Sequence, residues 1–463
     1  MRAASVMVIC SALVMALAMS TMSGADDGEK SRSVKTHERG GIAVRVFDPV
    51  VVAVSAAGET RWGYHQFPAL SRLPDGRLLA TFNDRPDRDD AYGSPGPASV
   101  STDDGRTWKE WDSPEPLLAI SNSVVSQVYD GHYLCVPMSP SLDIVANKIA
   151  LPGTYCRMNV YGEVLLYRIS ECGPDVRAYM TSLPGVRWSP MGGKWERQAV
   201  EWDTREALIR TRQSDYVIPR PYIDNHILRY GGVLLYPDFH LQHLLPGGGP
   251  PKKYACWCMM SDDNGQTWKR HGLIAHDPSG DTMMGEPCLL PTSDGNLACI
   301  IRCADQQQKP MRIAYSSDRG KTWTETQPLG DFGVMPQAAL LGNGVAVLAF
   351  GRPGVHLMFS PDGMARKWVA PVSLIAGDPQ AITEHSCGYT RVLPISEDAI
   401  LIAYSDFKHV GADGRACKAI LVRKIQISRT KESANQPPDL RTGRGQPRPC
   451  QPKPQPPGSR CGQ

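Results

Sequence analysis

Six side chains with chemically useful ends sit beside short apolar runs of this 463-residue chain. Glu286 lies in Gly285-Glu-Pro-Cys-Leu-Leu290, just ahead of one such run, and Arg302 closes it in Ala298-Cys-Ile-Ile-Arg302. Arg352 follows Leu348-Ala-Phe-Gly351, and Tyr389 stands in Cys387-Gly-Tyr-Thr390. Arg85 ends Thr81-Phe-Asn-Asp-Arg85 and leads into the acidic run Asp87-Arg-Asp-Asp90. By type, guanidinium groups grip anions through charge-assisted, often paired hydrogen bonds, and a carboxylic acid can protonate a leaving oxygen. Each residue also has a plain reading. An arginine at a strand end emerges into solvent, a glutamate satisfies a loop, and a tyrosine fills a core with its hydroxyl bonded. Only convergence from separate elements would make the set a site.

Metal chemistry finds no support. His240 and His243 in Phe239-His-Leu-Gln-His243 form the best isolated pair, with no third ligand at metal-binding spacing, and read as a loop or core pair. Cys256 and Cys258 fall two apart in a strand-like run, on one face, and so do not bond each other.

The elements that must position these residues repeat along the chain. An apolar residue or two, a Gly- or acid-containing turn and a short apolar strand recur six times. The copies are Leu73–Ala80, Val128–Cys135, Leu228–Leu235, Pro291–Ala298, Leu340–Val347 and Leu393–Leu401. Asp-Gly and Asn-Gly turns suit tight hairpins because these residues tolerate positive φ. A second repeat, Ser-x-Asp-x-Gly-x-Thr-Trp, is sharper. It occurs at Ser101–Trp108, Ser261–Trp268 and Ser316–Trp323, with a degenerate copy carrying one extra residue at Ser360–Trp368. In each, Asp can bond nearby amides, Gly supplies the unusual φ and Trp pins the turn. These turns are scaffold.

With these boxes the sequence resembles the sialidase superfamily, whose members are six-bladed β-propellers marked by Asp-boxes. The resemblance covers residues 41–428, roughly 65 residues per blade against the ~40–50 usual for propeller repeats. The excess falls around 138–220, where both signals vanish. An elaborated blade or insertion is expected there, with a degenerate seventh blade as the alternative. The alternating strands Ile42–Phe47 and Ala419–Ile427 are expected to pair and close the ring.

The resemblance also implies roles. In a sialidase the substrate carries a carboxylate on the anomeric carbon, so a neutral tyrosine serves as nucleophile. Tyr389 matches that position, Glu286 the glutamate that activates it, and Arg302 and Arg352 the second and third arginines of the carboxylate-binding triad. Arg85 matches the arginine contacting the sugar ring and Asp90 the acid/base catalyst, with Asp87 and Asp89 as close competitors. The family's first triad arginine lies in an Arg-Ile-Pro-like motif. The matching stretch here is His65-Gln-Phe-Pro68, with Gln66 at the arginine's place. A neutral amide there loses roughly 1–2 kcal/mol of carboxylate grip.

The implied function is removal of sialic acid or a related acidic sugar from glycans by a retaining mechanism, with no metal or organic cofactor. A non-catalytic glycan-binding or assembly propeller is one alternative; a glycosidase or lyase for another acidic polysaccharide is the other. A glycan is the expected partner. Fifty basic against 47 acidic residues give net +3, which argues against nucleic acid. Residues 1–25 read as a signal peptide: a charged start, the apolar run Val6–Met19, then small residues. That run is shorter than a membrane span, so a secreted or periplasmic protein is expected. Twelve cysteines remain after cleavage, a count that permits disulfides without identifying pairs. Residues 430–463, rich in Arg, Gln and Pro, read as a disordered tail.

Overall fold

A computed structural model describes residues 34–112, 116–117, 123–212, 216–304 and 308–430. The signal-peptide segment and residues 431–463 of the tail lie outside the described residues. The chain is a six-bladed β-propeller, almost entirely strand. Each of the six repeated hairpins forms the first two strands of a blade. Their tight turns leave the apolar alternate residues of both strands facing neighbouring blades, where the core clusters lie.

Blade 1 runs Tyr64–Arg72, Leu78–Asp84, Ala98–Ser101 and Lys109–Glu110. Blade 4 (Gly285–Pro291, Leu297–Arg302, Met311–Ser316, Gln327–Leu329) and blade 5 (Val334–Leu340, Ala346–Gly351, Val355–Ser360, Val369–Ile375) follow the same antiparallel order. Blade 6 is built from Thr390–Ser396, Ala399–Val410 and Ala416–Arg429. Its outer position is taken by N-terminal strands: Ile42–Phe47 and Val50–Val54 both pair with Ala416–Arg429, in a register that sets Val44 opposite Ile427. The two ends of the chain thus cover each other's sheet edge.

Blade 2 is the elaborated blade expected around 138–220. Its inner strands, Ser126–Tyr129 and His132–Cys135, are completed by Ser182–Ser189 and Lys194–Trp202, which lie inside that stretch. These strands are hard to read from sequence because Pro184 and Gly185 interrupt the apolar alternation. Pro184 is tolerated because the strand pairs on both sides only over Val186–Trp188. Blade 3 runs Leu228–Tyr230, Val233–Asp238, Cys256–Ser261 and Thr267–Ala275. Its last strand pairs in parallel with that of blade 2, Glu201 and Trp202 opposite Thr267 and Trp268, so the two blades form one eight-stranded sheet.

What remains of the extra sequence forms a cap. Cys156–Asn159, Glu163–Arg168, Ala207–Arg212 and Gln242–His243 make a separate four-stranded sheet. Leu142–Asp143 pairs with Val217–Ile218, and a two-turn helix spans Pro174–Thr181. No described helix is long and apolar enough to cross a membrane.

The Asp-boxes repeat one hydrogen-bond pattern. In the first, Gly105 N–H donates to Ser101 Oγ (2.9 Å), and Asp103 accepts from the Thr107 amide (2.9 Å) and hydroxyl (2.7 Å). Ser261–Trp268 and Ser316–Trp323 match it. In the degenerate copy Ala365 takes the glycine's place at φ 58°, and its amide still reaches Ser360 Oγ (3.1 Å).

Candidate active site

The inner strands of blades 1, 4 and 5 share a local device. Each breaks its register near its start at a residue in the left-handed region followed by proline: Phe67 (φ 52°), Glu286 (φ 43°) and Met335 (φ 42°). Left-handed backbone is costly for a residue with a Cβ, and proline after it restricts the choices further. The bulge directs all three side chains into one cavity of about 210 Å³, into which Tyr389, Asp224 and the cap also face.

At its wall Tyr389 and Glu286 meet Arg302, which is buried behind them and does not itself line the cavity. The Tyr389 hydroxyl donates to Glu286 Oε1, which also receives Arg302 Nη1. The same Nη1 lies 3.1 Å from the Tyr389 oxygen. The Met335 amide donates to Glu286 Oε2 at 2.8 Å. Burial, then the neighbouring Glu286 carboxylate, holds the Tyr389 hydroxyl well above its usual range. Burial opposes charge on Arg302, but Glu286, Tyr389 and Tyr161 together outweigh it and keep the guanidinium protonated. The arrangement can withdraw a proton from a tyrosine that is otherwise very reluctant to ionise.

Arg352 lies beside this group. Its guanidinium carbon is 5.6 Å from the Tyr389 ring centroid and 5.4 Å from that of Trp62, and its Nε and Nη2 donate to the Cys387 carbonyl. The close approach requires glycine: a Cβ on Gly388 (φ 76°) would fall 2.5 Å from the Arg352 nitrogen.

Three other expected residues stand elsewhere. Gln66 is fully buried behind the cavity, its amide without a hydrogen-bond partner among the described residues. The bulge turns the next residue inward instead, so the Phe67 ring enters the cavity, 4.8 Å from that of Tyr389. Asp90 points outward, paired with Arg88, its side chain 41% exposed. Its competitors Asp87 and Asp89 both line the cavity. Asp89 is held by Arg210 (2.9 Å) and lies 3.8 Å from Arg212, whereas Asp87 accepts from Trp62 Nε1 (2.9 Å) and the Tyr92 hydroxyl (2.5 Å). Arg85 donates to the Pro95 carbonyl and does not line the cavity.

Several wall residues escaped the sequence reading because they come from the cap or from blade 3. Tyr161 stands at a hairpin tip of the cap sheet in the left-handed region (φ 54°). Its hydroxyl accepts from Arg302 Nη2 (2.5 Å) and donates to the Ala304 carbonyl (2.9 Å). His240 is no partner of His243. Its Nδ1 lies 3.1 Å from Asp238 and its Nε2 3.6 Å from Asp224. Burial works against charge on this imidazole, but the two aspartates raise it above its usual value. His243 bonds the Arg205 carbonyl inside the cap sheet. Behind Asp224, Arg391 is fully buried and donates to the Asp224 carbonyl (2.6 Å) and Gln337 Oε1 (2.8 Å). Tyr222 and Asp224 precede the blade 3 hairpin much as Glu286 precedes that of blade 4, the one sequence signal that would have found them.

Comparison with known proteins places this geometry. Residues 158–402 match the BNR repeat-like domain, and the chain belongs to that family. It is 36% identical over 323 residues to a sialidase of Micromonospora viridifaciens, a match covering 67% of this chain and 43% of that protein. The chain therefore spans less than half the length of that relative. Among solved structures, a protein of unknown function from Dyadobacter fermentans superposes with a TM-score of 0.57 at 19% identity, over 83% of this chain and 99% of that one. An α-L-arabinofuranosidase from Fusarium graminearum gives 0.49 at 14% identity, over 81% and 97%. The fold is the sialidase-like glycosidase fold of the BNR family.

Proposed function

We propose that the protein is a retaining glycoside hydrolase that removes sialic acid or a related acidic sugar from glycans. The observation that carries this reading is the contact of the Tyr389 hydroxyl with Glu286, bridged by Arg302. A tyrosine is a poor nucleophile unless a base takes its proton, and here a carboxylate touches the phenol at the wall of a cavity.

Tyr389 Oη attacks the anomeric carbon while its proton passes to Glu286. The bond from that carbon to the leaving oxygen breaks, and a carboxylic acid supplies the leaving group's proton. Asp87 is the best placed of the three loop aspartates: Asp90 is turned away and Asp89 is engaged by arginine. In the second step water gives its proton to Asp87 and its oxygen attacks the anomeric carbon, and the bond from that carbon to Tyr389 Oη breaks. Tyr389 then recovers its proton from Glu286. We further propose that the protein is exported, on the character of residues 1–25.

The test is release of 4-methylumbelliferone from its α-N-acetylneuraminide, with wild type beside Tyr389→Phe. Release that falls at least a thousandfold in Tyr389→Phe is the expected result, on the scale of losing a nucleophile. Release that survives the substitution rules out the tyrosine mechanism; no release by either rules out this sugar.

A further inference from the structure

The cavity has two walls of opposite charge. Glu286, Asp224 and Asp87 stand on the propeller side, whereas Arg210, Arg212 and Arg220 stand on the cap side, all within the stretch that leads from the cap sheet to blade 3. Asp89 is the one carboxylate among these arginines, and it is shared by Arg210 and Arg212. Among the described residues Arg212 Nη1 otherwise meets only the carbonyls of Val160 and Tyr161, at 3.1 Å each. Arg220 contacts no carboxylate among the described residues. Its Nη1 donates to the Tyr179 and Ser182 carbonyls (3.2 and 3.3 Å), its guanidinium lies 4.4 Å from the centroid of the Tyr179 ring, and its buried Nε has no partner among the described residues. Three guanidinium groups on this wall thus share one carboxylate, and among the described residues Arg220 has no counter-ion.

The wall where a carboxylate was expected offers less. Phe67 fills the place facing Tyr389, and Gln66 is behind it. Arg302 has its Nε, Nη1 and Nη2 committed to Ala304, Glu286, Tyr389 and Tyr161. Arg352 is engaged with the Cys387 carbonyl.

We infer that Arg212 and Arg220 form an anion subsite on the cap, which holds a carboxylate or sulfate of the sugar at a position away from the carbon attacked by Tyr389. The inference rests on reading the cavity as a glycan site. Arginine suits both anions, because its planar fork pairs with two oxygens at once. The substrate class narrows accordingly, to a glycan whose acidic group faces the cap.

Binding without turnover tests it. In the Tyr389→Phe background, titration calorimetry compares N-acetylneuraminic acid, galacturonic acid, galactose 6-sulfate and neutral galactose. At least one acidic sugar is expected to bind about tenfold or more tighter than galactose, and to weaken severalfold as salt is raised across the screening range. Arg220→Ala and Arg212→Ala are each expected to remove about tenfold of that preference and to leave galactose within about twofold. Arg220→Lys should retain part of it, and Arg220→Gln serves if the alanine variant fails to fold. Whether galacturonic acid or galactose 6-sulfate gains more identifies the anion, and a gain by N-acetylneuraminic acid alone, whose carboxylate sits on its anomeric carbon, overturns the proposal. The proposal is overturned if no acidic sugar binds better than galactose. It is equally overturned if the preference survives Arg220→Ala and Arg212→Ala but is lost in Arg352→Ala. Acidic sugars that bind as described, while wild type releases no 4-methylumbelliferone from the 4-methylumbelliferyl glycosides of those same sugars, would defeat the hydrolase reading and leave this subsite standing.

Discussion

At the scale of single residues, the support given to Arg302 is the feature most open to test. Its Nη1 reaches the reacting pair while Tyr161 from the cap receives Nη2. Tyr161→Phe removes that acceptor and leaves the ring. An unmet hydrogen bond of this kind is worth about 1–1.5 kcal/mol, so kcat/KM is expected to drop roughly tenfold with a melting temperature lowered by no more than about 4 °C. Equal kcat/KM in variant and wild type would show that the cap hydroxyl does not support the site. Glu286, Arg302, Arg352 and Tyr389 were legible in sequence because they stand at fixed offsets from hairpins whose turns announce themselves. Gln66 and Asp90 were misplaced for a shared reason. Which of two adjacent side chains faces inward depends on the bulge at Phe67 and on the path of the loop after Arg85, and composition carries neither.

The repeated box is the element with the clearest energetic signature. Hydrogen bonds from Thr322 and Ser316 hold the Asp318 carboxyl down to about 2, against about 3.9 for an unfolded aspartate. A carboxyl depressed in the folded state contributes stability that is full above the unfolded value and is lost as pH falls through the folded one. The melting-temperature gap between wild type and Asp318→Asn is therefore expected to be largest near pH 5 and to close between about 4 and 2. A gap that stays constant across that range would assign the box no ionic role. Boxes and hairpins made most blades readable. The outer strands of blade 2 were not, because their turn, Pro190-Met-Gly-Gly193, lacks the box residues and Pro184 masks the alternation. The cap was invisible for another reason. Its sheet is assembled from four separated segments, one of them only Gln242–His243.

For the whole molecule, ring closure was foreseeable from two alternating strands at opposite ends of the propeller sequence, and the structure pairs them. Ile427 is fully buried in that junction, opposite Val44. Ile427→Ala is expected to destabilise the whole ring by about 2–5 kcal/mol, the range for truncating a buried isoleucine, read as a shift of the urea midpoint with every blade unfolding together. A separate early transition for blade 6 alone would mean that the closure is not what holds the ring. The ten described cysteines are all free thiols, so among the described residues the ring is held by packing and strand pairing, with no covalent clasp.

The seam between blades 2 and 3 has its own consequence. Blades 4 and 5, and 5 and 6, are joined between their turns by single backbone hydrogen bonds, Ser293 N–H to the Gly363 carbonyl and Asn343 N–H to the Glu397 carbonyl, but here two strands pair across the boundary, and Trp202 and Trp268 pack against each other beneath it with centroids 5.9 Å apart. A break in the chain is tolerated where it separates surfaces that can re-dock, and is damaging where it splits a continuous hydrogen-bonded ladder. Circular permutants and split halves of this protein should therefore be cut between blades 4 and 5 or 5 and 6. A cut made between blades 2 and 3 would leave each fragment with a raw sheet edge, ready to pair with the wrong chain.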